Sequence, residues 1–89
     1  MEVHDNPALH RFEINLEGDT AASCYELAPG VIIFKHTEVP PKFGGRGIGS
    51  ALVRGALETA RARGLKVVAK CPFVAGYMAK HTEFNDLVA

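Results

Sequence analysis

Nowhere does this chain approach the ~20 consecutive apolar residues that cross a bilayer, so a membrane-spanning segment is not expected. Tryptophan is absent, and cysteine occurs only twice, as Cys24 and Cys71. With no secretory segment ahead of them, the two read as free thiols in a reducing cytoplasm rather than a disulfide framework. Cys/His pairs at metal-ligand spacing are missing too, and His4, His10 and His81 have no partners there, so no metal site is expected. Ten basic residues against ten acidic ones leave no net charge, which argues against a general nucleic-acid binder. There is no internal repeat and no low-complexity tract. What remains is 89 residues with 47% apolar content. That is enough for one domain over residues 1–89 with one core, near the lower limit for folding without staples.

Zero net charge hides a segregation. Residues 1–41 carry Glu2, Asp5, Glu13, Glu17, Asp19, Glu26 and Glu38 against Arg11 and Lys35, whereas residues 42–80 carry eight basic groups against Glu58 alone. Arg54, Arg61 and Arg63 fit a solvated helix face. The same half also holds Lys42 and Arg46, which suit a polyanionic ligand.

Alternation from Leu9, with Phe12, Ile14 and Leu16 on one face, predicts a half-buried strand. Glu17-Gly18-Asp19 reads as a tight turn, and Thr20 to Leu27 as the returning strand, with Cys24 on the Ala22 face and assigned to the core. A short edge strand around Glu2 to His4 is compatible with the pattern. After Ala28-Pro29-Gly30, Val31 to Val39 reads as a central strand on which His36 shares the face of Phe34 and Glu38. Three antiparallel strands thus form the first half. Ile48, Leu52, Ala56 and Ala60 recur at helical spacing up to Gly64, and Gly55 within that helix signals close packing on the sheet. Leu65 to Lys70 is a short strand, Phe73 to His81 a short helix, and Glu83 to Ala89 a tail or single turn. The strand–helix–strand unit favours a right-handed crossover and a parallel pair. The fold class is therefore α/β (α+β).

Between the central strand and the long helix lies Pro40-Pro41-Lys42-Phe43-Gly44-Gly45-Arg46-Gly47-Ile48-Gly49-Ser50. Glycines ahead of a helix let backbone N–H groups close on an anion, and phosphate is the expected guest. A Walker loop is excluded because no lysine follows the last glycine, and a dinucleotide fingerprint because Gly45-x-Gly47 is followed by Ser50.

The pattern that survives, Gly44-x-x-Gly47-x-Gly49, resembles the pyrophosphate loop of the GNAT superfamily of acyl-CoA-dependent acetyltransferases. His36-Thr37-Glu38-Val39-Pro40, Gly47-Ile48-Gly49-Ser50 and Cys71-Pro72-Phe73-Val74 resemble a small single-domain branch of it, and the resemblance covers nearly the whole chain. One departure stands out: the residue that opens the motif, usually Gln or Arg, is Gly44 here. The resemblance implies a minimal GNAT-like fold and acetyl-CoA or coenzyme A bound by Val39, Gly44, Gly45, Arg46, Gly47, Ile48, Gly49, Ser50 and Tyr77. It also implies acetyl transfer to an amine, small molecule or protein, with Cys71 as acyl acceptor and His36 beside it raising its reactivity. Glu38 would orient the imidazole or draw a proton from the amine. Two readings from other classes stay open: a coenzyme A-binding or acyl-sensing module without catalysis, and an interaction domain using a sheet edge. A monomer or weak homodimer is expected.

Overall fold

The computed structural model describes residues 2–89. Five strands form one sheet in sequence order: β1 (His4–Asn6), β2 (Arg11–Leu16), β3 (Asp19–Ala28), β4 (Val31–Glu38) and β5 (Lys66–Ala69). The first four are antiparallel and β5 joins β4 in parallel, as the strand–helix–strand unit favours. Two helices, α1 (Ile48–Ala62) and α2 (Pro72–Lys80), complete the architecture.

Local chemistry explains the boundaries. Leu9 lies outside β2, because Pro7–Leu9 forms a 3-10 turn that ends at His10 in the left-handed region. The edge strand is His4–Asn6, two residues later than expected, so four antiparallel strands precede the helix. The β2–β3 connection is a two-residue turn with Leu16 opposite Asp19. Gly64, just past the end of α1, has a φ of 70 that lets Leu65 N–H return to the Ala60 carbonyl at 2.9 Å. Its buried stripe of Ile48, Leu52, Val53, Ala56, Leu57 and Ala60 packs on Phe12, Ile14, Ala21, Tyr25, Ile32 and Phe34 of the sheet. Each large side chain so buried contributes about 1.5–3 kcal/mol. Gly55 is a point of close approach, but to the N-terminal segment rather than the sheet: a β-carbon there would lie 2.7 Å from Val3. The C-terminal residues form a 3-10 segment, Thr82–Leu87, with Phe84 and Leu87 buried. Val88 then bridges to Val67 on the outer side of β5.

Both helices lie on one face of the sheet. The other face is polar and holds Glu13, which is buried to 5% exposure by Arg11, Asn6 and His4. Those donors hold the Glu13 carboxyl below the usual carboxylate range, Arg11 foremost, against the burial that raises it. Cys24 belongs to this open face and is half-buried, not part of the core. The helix-facing residues of β3 are Ala21, Ser23 and Tyr25.

One irregularity decides what β4 presents. Cys24 lies opposite His36, but its neighbour Tyr25 lies opposite Phe34, so Lys35 is an extra residue in β4. A bulge of this kind reverses the alternation of everything beyond it. His36 and Glu38 therefore leave the face of Phe34 for the open face, and Thr37 turns toward the helices.

Candidate active site

The site begins where β4 stops. Pro40 and Pro41 offer no N–H to a neighbouring strand, and the single 3-10 turn Pro41–Phe43 is pinned by Phe43, buried to 1% exposure. From there the chain enters α1 through Gly45 and Gly47, at φ of 75 and 72, backbone that glycine adopts without strain. Gly44 N–H donates to Pro41 O, Arg46 N–H to Phe43 O and Ala51 N–H to Gly47 O. The N–H groups of Gly45, Gly47, Ile48, Gly49 and Ser50 have no acceptor among the described residues, and no side chain caps α1. These residues border a hollow of 230 Å³ that Val39, Phe43 and Phe73 close on the apolar side. Gly49 is required for its shape, since a β-carbon there would come within 2.6 Å of the Phe73 ring.

A second cavity, of 340 Å³, shares Ser50 and Phe73 with the first and runs along α2 past Gly76, Tyr77, Lys80 and His81. Tyr77 stacks on His81 with ring centroids 4.0 Å apart. Most of the cofactor residues expected from sequence therefore come together: Val39, Gly44, Gly45, Gly47, Ile48, Gly49 and Ser50 at one hollow, Tyr77 at its neighbour. Arg46 does not line either cavity. Its guanidinium meets Glu17 at 2.7 Å.

From the loop, an open channel edge leads along β4. β5 pairs with β4 only as far as Phe34↔Ala69, whereas β3 follows β4 to Glu38. The Phe34 carbonyl takes the N–H groups of both Lys70 and Cys71 at 3.0 Å, and the chain then turns into α2. Residues 36–38 are thus paired on one side and free on the other.

Cys71 sits at that fork as the residue preceding α2, with 3% exposure. Its sulfur is 3.3 Å from Thr37 Oγ1, and Thr37 Oγ1 is 3.0 Å from Ser23 Oγ. Ser23 is fully buried, so this hydroxyl chain satisfies a polar group that would otherwise be costly there. The bulge does not bring His36 to the sulfur. On the other face, His36 Nε2 lies 2.9 Å from Glu38 Oε1, both side chains exposed. A third cavity, of 440 Å³, is lined by Thr20, Thr37, Glu38, Val39, Pro40 and Pro41, so it is bordered by the residue bonded to Cys71 and by the residue paired with His36. Thr37 is the residue sequence reasoning missed. The usable signal was Ser23, a polar residue between Ala21 and Tyr25 on the face that packs against the helices. Among the described residues, no three His, Cys, Asp or Glu side chains converge as a metal site, and no helix is long and apolar enough to cross a membrane.

Comparison with known proteins converges on the same region of fold space. Over 99% of its length the chain is similar to the NMR solution structure of a GCN5-like protein from Staphylococcus aureus, 87% of which is covered, at 27% identity and a TM-score of 0.77. No curated protein matches the chain by sequence. The family described as GCN5-related N-acetyl-transferase matches residues 11–87, from the first residue of β2 to the last buried leucine. A match of that extent over this fold makes the chain a member of the GCN5-related N-acetyltransferase family.

Proposed function

We propose that the protein binds acetyl-CoA through the glycine loop and transfers the acetyl group to an amine, with Cys71 as the intermediate acyl carrier. The observation that carries this reading is the set of unpartnered N–H groups of Gly45 and of Gly47 to Ser50, at a helix start and beside the fork that ends at Cys71. Those donors match a diphosphate in charge and number. The free edge of β4 offers backbone groups to an amide-bearing pantetheine arm, as an added strand would meet them.

In the chemistry this supports, the Cys71 sulfur attacks the thioester carbonyl, a C–S bond forms, and the departing coenzyme A sulfur takes the proton. The amine nitrogen then attacks acetyl-Cys71, forming the C–N bond as the Cys71 C–S bond breaks. Thr37, bonded to the sulfur, holds the thiol toward the fork. Glu38, paired with His36, borders the cavity at residues 20 and 37–41 and receives the proton the amine must lose. The same cavity, open to solvent, suits an acceptor of varied size.

Against the sheet-edge reading stand the edges themselves. β1 is three residues long, and the outer side of β5 is met by Val88, with Ala89 N–H bonded to Val67 O. The test has two steps. Thermal stability with coenzyme A at 100 times its dissociation constant should rise by about 2.7 kcal/mol. Intact mass after acetyl-CoA treatment should then show one added acetyl group, lost in Cys71→Ala. No stabilisation removes coenzyme A from the proposal, and an acetyl gain that survives Cys71→Ala removes the sulfur.

A further inference from the structure

The β2–β3 turn reaches the glycine loop from outside the hollow. In it Glu17 and Gly18 both take left-handed backbone, at φ of 53 and 77. Glycine suits that geometry and asparagine tolerates it, whereas glutamate is strained there. A strained residue held in place calls for a reason. Here the Glu17 carboxylate meets Arg46 Nη1 at 2.7 Å, and the Glu17 carbonyl accepts from Lys42 Nζ at 3.0 Å. Asp19 Oδ2 lies 3.1 Å from the same Lys42 Nζ. Lys42 and Arg46 also flank Phe43, each charged group 5.5 Å from the ring centroid. Their stems are thus rooted at the loop while their heads reach toward the turn, and neither lines the hollow. All four side chains are about half exposed, so each ion pair is weak and open to exchange.

We propose that the Glu17–Asp19 turn is a competing counter-ion for the anion loop. Glu17 and Asp19 hold Arg46 and Lys42 away from the hollow, and a diphosphate seated on the loop amides takes both cations over. The idea rests on the proposed function, because it needs a diphosphate on that loop. Two carboxylates balance two cations in the free protein, so only a ligand bringing comparable charge close to both heads displaces them. The turn then sets the affinity for the diphosphate and makes monophosphates poor competitors.

Calorimetric titration with coenzyme A at low ionic strength tests this. Glu17→Asn keeps a residue that tolerates the left-handed backbone, so the turn and the fold survive it. It should tighten binding about threefold, and Glu17→Asn with Asp19→Asn about tenfold. Adding Arg46→Gln and Lys42→Gln should abolish the gain. Unchanged or weaker binding in Glu17→Asn, or a gain that persists without Arg46 and Lys42, overturns the latch while leaving coenzyme A binding intact. If neither the wild type nor the variants bind coenzyme A, the latch and the proposed function fall together.

Discussion

Thr37 and Cys71 meet across the fork between β4 and β5, hydroxyl oxygen to sulfur at 3.3 Å, with Ser23 behind them at 3.0 Å from Thr37. Neither strand alone sets up this contact. It exists because the extra residue at Lys35 turns Thr37 toward the helices just where β5 departs.

Thr37→Val keeps the shape of the side chain and removes its hydroxyl. Ser23, with no exposure, and Cys71 are then both left unpartnered. The expected cost is about 1–3 kcal/mol by urea unfolding, because buried polar groups would lose their bonds without regaining water. Thr37→Ser should recover most of it, and acetyl uptake at Cys71 should follow the same order. Equal stability of the valine variant and the wild type would mean the hydroxyl chain is incidental.

Much of this was legible from residue chemistry. Glycines 45 and 47 announce positive φ, and Pro40 and Pro41 announce the end of a strand. The period of Ile48, Leu52, Ala56 and Ala60 fixes the helix. The bulge was not legible. Val31 to Phe34 is apolar on both faces, so nothing in the pattern marks where the alternation slips, and the face of His36 was misassigned as a result. Arg46 escaped for another reason: a long cationic side chain goes to the carboxylate that folding brings near it, and Glu17 is distant in sequence. Local spacing carries no information about such a pair.

Two glycine substitutions separate folding from binding. Gly47→Ala places a β-carbon on left-handed backbone and should cost about 1–2 kcal/mol. Gly49→Ala pushes only against the outer end of Phe73, a ring with 44% exposure that can swing aside. The better helix propensity of alanine, about 1 kcal/mol, offsets that contact. Gly49→Ala should therefore unfold within about 0.5 kcal/mol of the wild type, yet lose coenzyme A affinity as the ring moves into the hollow. Wild-type affinity in this variant would show that Phe73 does not shape the site.

Gly55→Ala probes the N-terminal strand. Its β-carbon would lie 2.7 Å from Val3 Cβ, a distance that branched side chain cannot relieve by rotation. Overpacking costs about 1–3 kcal/mol, and the alanine recovers about 1 kcal/mol of helix propensity. A net loss of about 1 kcal/mol is expected, with hydrogen exchange accelerated at residues 4–6 and not in the helix. A stabilised variant would mean that Val3 moves aside freely.

Tyr25 supplies the last test, at alkaline pH. Its phenol, with 3% exposure, donates to Asp5 Oδ1 at 2.6 Å, and Asp5 in turn lies 3.0 Å from Arg63. Burial first, then the Asp5 carboxylate, pushes the phenol pKa up to about 12. In the unfolded chain a tyrosine ionises near ~10. The folded value is the higher one, so this group's contribution is complete below the unfolded value. It declines as pH rises through about 12, because the unfolded state sheds its proton first. Tyr25→Phe removes a buried bond to a charged acceptor, worth about 1.5–3 kcal/mol near neutrality. It also removes this proton from the balance. Urea unfolding at pH values from neutral to strongly alkaline should show the gap between wild type and Tyr25→Phe constant at first and narrowing at the alkaline end. A gap that stays constant throughout would mean that Tyr25 ionises alike in the folded and unfolded chains.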